Sequence, residues 1–273
     1  MIYSILEQGL VALPLILGAY ITFSLLKLPD FGMESAYLFG AVMAYLAKDC
    51  SVSLILCSAV LGGVLVGTFV STLSQCFKLP FLLTGIITNG LFHGLTQYLL
   101  GTSLQSFHPA IFVSEPVLFG GVGVGLVLLI GAIFRSQLGY SFAIYGNNPS
   151  FFKHHGISGR YIVFFGVMLG HGLAGISGAF FAHSNCLVDL TMNFGILLLC
   201  LTTLLLGKSI VRTNRPSLIV PLLGLLAYFL VQQAILGAGL SLKYFNAIQA
   251  LCVLGALGLL RKKKHTAIDH LGV

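Results

Sequence analysis

Apolar residues run along this chain in long blocks, interrupted at short intervals by proline, glycine and charge. Nine blocks have the character of membrane spans: Ser4 to Leu26, Phe31 to Ala47, Ser51 to Gln75, Phe81 to Leu100, Val117 to Phe134, Tyr161 to His183, Asn193 to Leu206, Ser217 to Leu236 and Phe245 to Leu260. Crossing about 30 Å of hydrocarbon takes about 20 apolar residues. The second and seventh blocks are short, which suits re-entrant or broken helices. Pro29, Pro80, Pro116 and Pro216 each stand just before a block, where a missing N–H costs a helix nothing. Pro14 and Pro221 lie inside blocks and should kink them. The pattern predicts an all-α polytopic membrane helix bundle of about nine spans, one domain over residues 1–273.

Composition removes the soluble alternatives. The chain is 57% hydrophobic and 8% charged, against about a quarter charged in an ordinary soluble domain. The first block has neither a basic leader nor a small-x-small cleavage site, so it reads as a retained helix. Cys50, Cys57, Cys76, Cys186, Cys200 and Cys252 show no CxxC and no ligand spacing, and read as small apolar filler, with no metal.

Lys and Arg accumulate on the cytoplasmic side of membrane proteins. With the carboxyl terminus inside, twelve of the fourteen cations fall on that side, and only Lys48 and Lys243 outside. That orientation puts the amino terminus outside and matches a multi-pass protein of a bacterial plasma (inner) membrane. The positive balance then serves topology and anionic lipid, and gives no case for nucleic acid.

Asp30-Phe-Gly-Met-Glu34 opens the second block and Asp189-Leu-Thr-Met-Asn193 the seventh. Four blocks flank a central fifth on either side. Both features suggest an inverted-topology repeat of residues 1–113 and 161–273. Small residues recur every four positions along the sixth block (Gly166, Gly170, Ala174, Gly178, Ala182) and the third (Ala59, Gly63, Gly67, Ser71), and the fifth carries Gly121, Gly123, Gly125 and Gly131. Such rows predict helices packed closely on other helices.

The longest polar connection, residues 135–160, contains Gly146-Asn147-Asn148-Pro149-Ser150-Phe151-Phe152-Lys153-His154-His155-Gly156-Ile157. Asn148 suits an N-cap, Pro149 a first helical position and Gly156 the residue past the end. A helix of about two turns is unstable alone in water, so Phe151 and Phe152 should dock it, either on the chain's own bundle and the lipid surface or on a partner.

Gly139-Tyr140, Gly146-Asn147-Asn148-Pro149 and Gly156-Ile157 resemble the coupling loop of the ABC permeases that serve branched-chain amino acid and ribose importers. The resemblance is closest to a smaller branch of tryptophan/tyrosine type. The opening Gly9 to Tyr20 and Leu28-Pro29-Asp30 are similar to the amino terminus of that branch. Two positions depart: Ala143 stands where the family usually has Arg, and Met33-Glu34-Ser35-Ala36 replaces a Val-Asp-Gly-Ser-like run. The resemblance implies a permease subunit that imports a small solute by alternating access. It implies as partners cytoplasmic ABC ATPase subunits, a second permease copy, an extracytoplasmic substrate-binding protein and the lipid bilayer. Gly146, Asn147, Asn148, Pro149, Phe151, Phe152, Gly156 and Ile157 would form the ATPase-coupling loop.

The residues agree on energy supply. Gly207-Lys208-Ser209 has Thr202 where a phosphate loop needs its first glycine, so ATP and magnesium are expected on the partner and no cofactor on this chain. Polar residues inside blocks mark cavities or partners: Glu34, Asn89, His93, Gln97, His171, Asn193, Gln232 and Gln233. Glu34, His171 and Asn193 are candidates for the translocation pathway. For His171 the competing reading is a hydrogen bond to a neighbouring helix, and for Glu34 an interfacial, solvated carboxylate. No nucleophile–base pair or carboxylate dyad is evident, which argues against an enzyme. A gradient-driven secondary transporter is the alternative function, although the chain has few charges to couple an ion.

Overall fold

The structure is a computed structural model that describes residues 2–108, 115–211, 213, 215–237, 247, 249–250 and 254. Ten α-helices are present among them: α1 (Ile2–Ala19), α2 (Gly32–Leu46), α3 (Val52–Cys76), α4 (Phe81–Leu100), α5 (Glu115–Arg135), α6 (Gln137–Asn147), α7 (Ser150–His154), α8 (Gly159–Ser184), α9 (Ile196–Ile210) and α10 (Ile219–Gly237). Strand β1 (Leu104–Ser106) pairs antiparallel with β2 (Leu187–Asp189), Gln105 opposite Val188. The ribbon lies at the end of the bundle opposite α6 and α7.

The nine expected spans resolve into a more uneven set. Five helices are long and apolar enough to cross a membrane, namely α1 with its extension, α3, α5, α8 and α10, and α9 is a shorter apolar helix. The ninth block falls almost wholly outside the described residues. Both α2 and α9 have 15 residues, about 22 Å of helix against about 30 Å of hydrocarbon. Among the described residues of α2, Met33 and Ala36 are fully buried and Tyr37 nearly so, so this helix is a core element rather than a lipid-facing one.

Helix α8 is the hub, packing on α1, α2 and α3. Its glycine row makes this approach close. A Cβ on Gly178 would lie 1.9 Å from the Tyr37 carbonyl oxygen, and one on Gly63 2.1 Å from that of His171. Gly18 and Gly170 meet backbone to backbone, as do Gly40 and Gly175. Gly67 abuts the His171 ring, and Gly166 lies against Leu26 and Phe142. The fifth block behaves differently: Gly120, Gly121 and Gly125 of α5 have open space where a Cβ would stand, and only Phe119, Gly123, Ile130 and Phe134 of that helix are buried. Gly123 meets Leu13 and Leu10, and Gly131 meets Leu218, so the expectation that this glycine row packs holds at those two positions and is corrected at Gly121 and Gly125.

Three further expectations change. Pro14 lies within α1 without ending it, and the helix departs from α geometry later, as a π-helical segment at Tyr20–Leu25. Pro221 falls in the first turn of α10, where it removes no hydrogen bond. Of the described cysteines only Cys200 is buried, so the others do not fill the core.

Candidate transport and coupling site

The expected coupling loop is largely helical. Ser136 caps α6 by accepting the Leu138 backbone N–H at 3.3 Å. Gly139, Phe142 and Ala143 are buried at i, i+3 and i+4, the spacing of an apolar helix face. Asn148 closes α6 as its C-cap rather than acting only as a start. Ser150 then opens α7, its hydroxyl bonding Asn148 Oδ1 at 2.5 Å. Gly156 sits beyond α7 at φ +70°, and the Ile157 N–H reaches back to the Phe152 carbonyl at 2.9 Å. That is the six-to-one bond of a left-handed helix stop, where glycine avoids the Cβ penalty.

The two phenylalanines divide their work. Phe152 is 5% exposed and packs on Tyr145, ring centroids 6.3 Å apart. Phe151 is 38% exposed and stacks at 4.2 Å on His155. Docking of α7 through both rings on one surface is thus corrected: Phe152 anchors the turn to its own chain, and Phe151 faces outward.

Gly146 and Asn147 grip the end of the first helix. A Cβ on Gly146 would lie 1.9 Å from the Leu25 carbonyl oxygen, so only glycine permits the approach. Lys27 Nζ donates to Asn147 Oδ1 at 2.6 Å, and Asn147 Nδ2 donates to the Ala143 carbonyl at 2.9 Å. Lys27 has φ +56°, and the Leu28 N–H bonds Thr22 O at 3.0 Å, a left-handed stop one residue wider than that of α7, following the π-helical segment.

The three pathway candidates are separately housed. His171 Nδ1 is 2.9 Å from the Val167 carbonyl, which can only accept, so Nδ1 carries a hydrogen. Its Nε2 lies 3.5 Å from Asp30 Oδ2, both side chains fully buried. Attraction across that contact needs one further proton, on Nε2 or on the carboxyl. Asp30 Oδ1 also accepts the Gly32 N–H at 2.9 Å, which starts α2. Glu34 meets Asn89 Nδ2 at 3.5 Å, and Asn89 accepts from the Ser35 hydroxyl at 2.7 Å. Asn193 is buried with Oδ1 lacking a hydrogen-bond partner among the described residues. Asp189 Oδ1 accepts the Thr191 N–H at 2.9 Å, the same turn that Asp30 makes before α2.

None of these three lines the cavity of about 430 Å³ between α1, α2, α8, α9 and α10 at the β-ribbon end. Its walls include Tyr37, Phe181, Phe194, Tyr228 and Phe229, with Glu7, Gln8, Gln232 and Gln249 as polar members. The Ser184 hydroxyl donates to Glu7 Oε1 at 3.1 Å, Gln249 bonds the Tyr228 hydroxyl, and Gln232 Oε1 is buried without a partner among the described residues. Of these polar groups only Gln232 is among the candidates named from the sequence, although Glu7 and Gln8 also stand inside the first apolar block and Gln249 inside the ninth.

Comparison with known proteins fits this architecture. The chain is 27% identical over 219 residues to the tyrosine transport system permease protein of Clostridioides difficile, covering 77% of this chain and 74% of that one. It is 22% identical over 251 residues to an uncharacterized protein of Rickettsia prowazekii, covering 86% and 89%. The fold is similar, with TM-score 0.57 and 17% identity, to a solved structure described as an inward-facing conformation of a metal-chelate type ABC transporter, over 95% of this chain and 86% of that one. The family model for the permease component of the branched-chain amino acid transport system matches residues 1–257. The chain is therefore a member of that ABC permease family, a multi-span transport subunit rather than an enzyme or a gradient-driven carrier.

Proposed function

We propose that this permease imports a small solute, an amino acid or a close relative, by alternating access driven from ATPase subunits that dock at α6 and α7. One contact carries the reading. Gly146 and Asn147 hold the end of the first helix at Leu25 and Lys27, and the other end of that helix supplies Glu7, Gln8, Val11, Ala12 and Leu15 to the 430 Å³ cavity. A push on α7, passed to α6 where Phe152 packs on Tyr145, is thereby transmitted along the first helix to the cavity wall. ATP and magnesium belong to the ATPase in this scheme, and α7 with exposed Phe151 is its docking element.

Aromatic walls with one carboxylate and several amides suit an amino acid with an apolar side chain, Glu7 receiving the ammonium. The name of the Clostridioides difficile relative supports the same class. A second permease copy fits the outer face of α4, where Gly90 and Gly94 meet open space and His93 and Gln97 are exposed. Polar groups facing lipid are costly, and small residues let a partner helix approach. In this scheme the amino terminus and β-ribbon lie outside, an extracytoplasmic binding protein delivers solute there, and α6–α7 faces the cytoplasm of a bacterial plasma membrane. The matched motifs around Asp30 and Asp189 support an inverted repeat of residues 1–113 and 161–273.

The test is uptake in vesicles that combine the permease with its ATPase and substrate-binding protein. ATP-dependent accumulation of labelled tyrosine or leucine is expected. Uptake of neither, with a sugar accumulated instead, would remove the amino-acid reading, and accumulation without ATP would remove the coupling.

A further inference from the structure

A second cavity, of about 440 Å³, lies at the α6–α7 end, between the π-helical segment, α6, the end of α9 and the connection to α10. Lys27, Lys208 and Arg215 line it together with Tyr20, Ser24 and Asn147, and no carboxylate is among its described lining residues. The Lys27 and Lys208 ammonium groups repel one another across it.

The bland explanation is that these cations sit there to offset helix ends. Three helices do finish at this place: the first at Leu25, α6 at Asn147 and α9 at Ile210. A helix end carries about half a negative charge, so the three offset about half of three full cations. A positive excess of about one and a half charges is left in a partly enclosed space. The neutral lining also offers donors: the Tyr20 hydroxyl accepts the Ser217 N–H at 3.3 Å, which leaves its O–H as a donor, and Ser24 supplies another hydroxyl. Donors and excess cations around one cavity match the charge and hydrogen-bond capacity of a phosphate group.

We propose that this cavity is a binding site for a phosphate-bearing anion, held by Lys27, Lys208 and Arg215. Occupancy would tie the end of the first helix to the end of α9 and so stiffen the bundle beside the coupling elements. An anionic phospholipid headgroup and a free phosphate present the same chemistry.

The purified full-length chain in a neutral detergent is titrated with dihexanoyl phosphatidylglycerol, dihexanoyl phosphatidylcholine or inorganic phosphate, and its thermal unfolding followed. Saturable stabilisation by phosphatidylglycerol but not phosphatidylcholine is expected. The same stabilisation by inorganic phosphate would assign the site to a soluble anion instead of a lipid. Lys208→Gln and Arg215→Gln should each weaken the effect about tenfold, the loss of one charge-assisted bond. Lys208→Arg should retain it, which separates lost charge from lost fold. Stabilisation absent with all three compounds, or unchanged in both glutamine variants, overturns the proposal.

Discussion

Helices α8 and α5 are both long, apolar and rich in glycine, yet one is the centre of the bundle and the other lies along its side. In α8 Gly170, Gly175 and Gly178 face backbones of α1, α3 and α2 at distances that leave no room for a side chain. In α5 Gly120, Gly121 and Gly125 face open space, Gly123 and Gly131 meet only leucine side chains, and the helix is buried at Phe119, Gly123, Ile130 and Phe134. A row of small residues thus permits close approach without causing it. A neighbour with its own small residue in register is also needed, and α8 finds Gly18, Gly40 and Gly63. Gly120, Gly121 and Gly125 of α5 are left for lipid or for another chain.

The sharpest break in this contrast is a bulky side chain in each row. Gly63→Leu or Gly178→Leu should prevent correct packing, at a cost of at least about 3 kcal/mol, and yield little monodisperse protein in size-exclusion chromatography. Gly121→Leu should stay within about 0.5 kcal/mol of the parent. Equal behaviour of the two sets would end the distinction between hub and flank.

The buried polar pair inside the hub comes next. His171→Leu leaves the buried Asp30 side chain without its imidazole partner and should cost about 1–3 kcal/mol. Adding Asp30→Asn should restore most of that, because Asn keeps an oxygen for the Gly32 N–H and carries no charge. Thermal unfolding of the single and double variants measures it, and a double variant as unstable as His171→Leu alone would show that the pair is not one unit.

A smaller contrast lies within α7. Phe152→Asp should loosen the turn by a few kcal/mol through a buried charge, whereas Phe151→Asp should leave stability within about 0.5 kcal/mol and reduce copurification with the ATPase. If Phe151→Asp copurifies as the parent does, α7 does not grip the ATPase through that ring. The mildest change is Gly156→Ala, which meets a left-handed backbone at φ +70° and should cost about 1 kcal/mol. Faster amide exchange confined to α7 and its flanks would register it.

Much of this was legible along the chain. Long apolar blocks marked the helices, and the polar punctuation around Asn148 and Gly156 marked a short helix between two long ones. Helix α6 was not, because its apolar face is only Gly139, Phe142 and Ala143, and it reads as a polar connection until the bundle supplies a surface for that face. His171 stood out as a polar residue in a span. Its partner Asp30 did not, since 141 positions separate them and Asp30 reads as a turn residue, which it also is.

The sequence by itself determined that the chain lives in a membrane, that it is helical, and that it belongs among ABC permeases. Those properties depend on local composition and short motifs, each satisfied within a few turns of chain. Only the tertiary structure decided which glycines are contacts, which phenylalanine faces outward, and which residues meet at the cavities. Glu7, Ser184 and Gln249 border one space although they come from three distant parts of the chain, and Lys27, Lys208 and Arg215 border the other. Such meetings follow from how helices stack, and stacking depends on surfaces far apart in sequence, which no local pattern encodes.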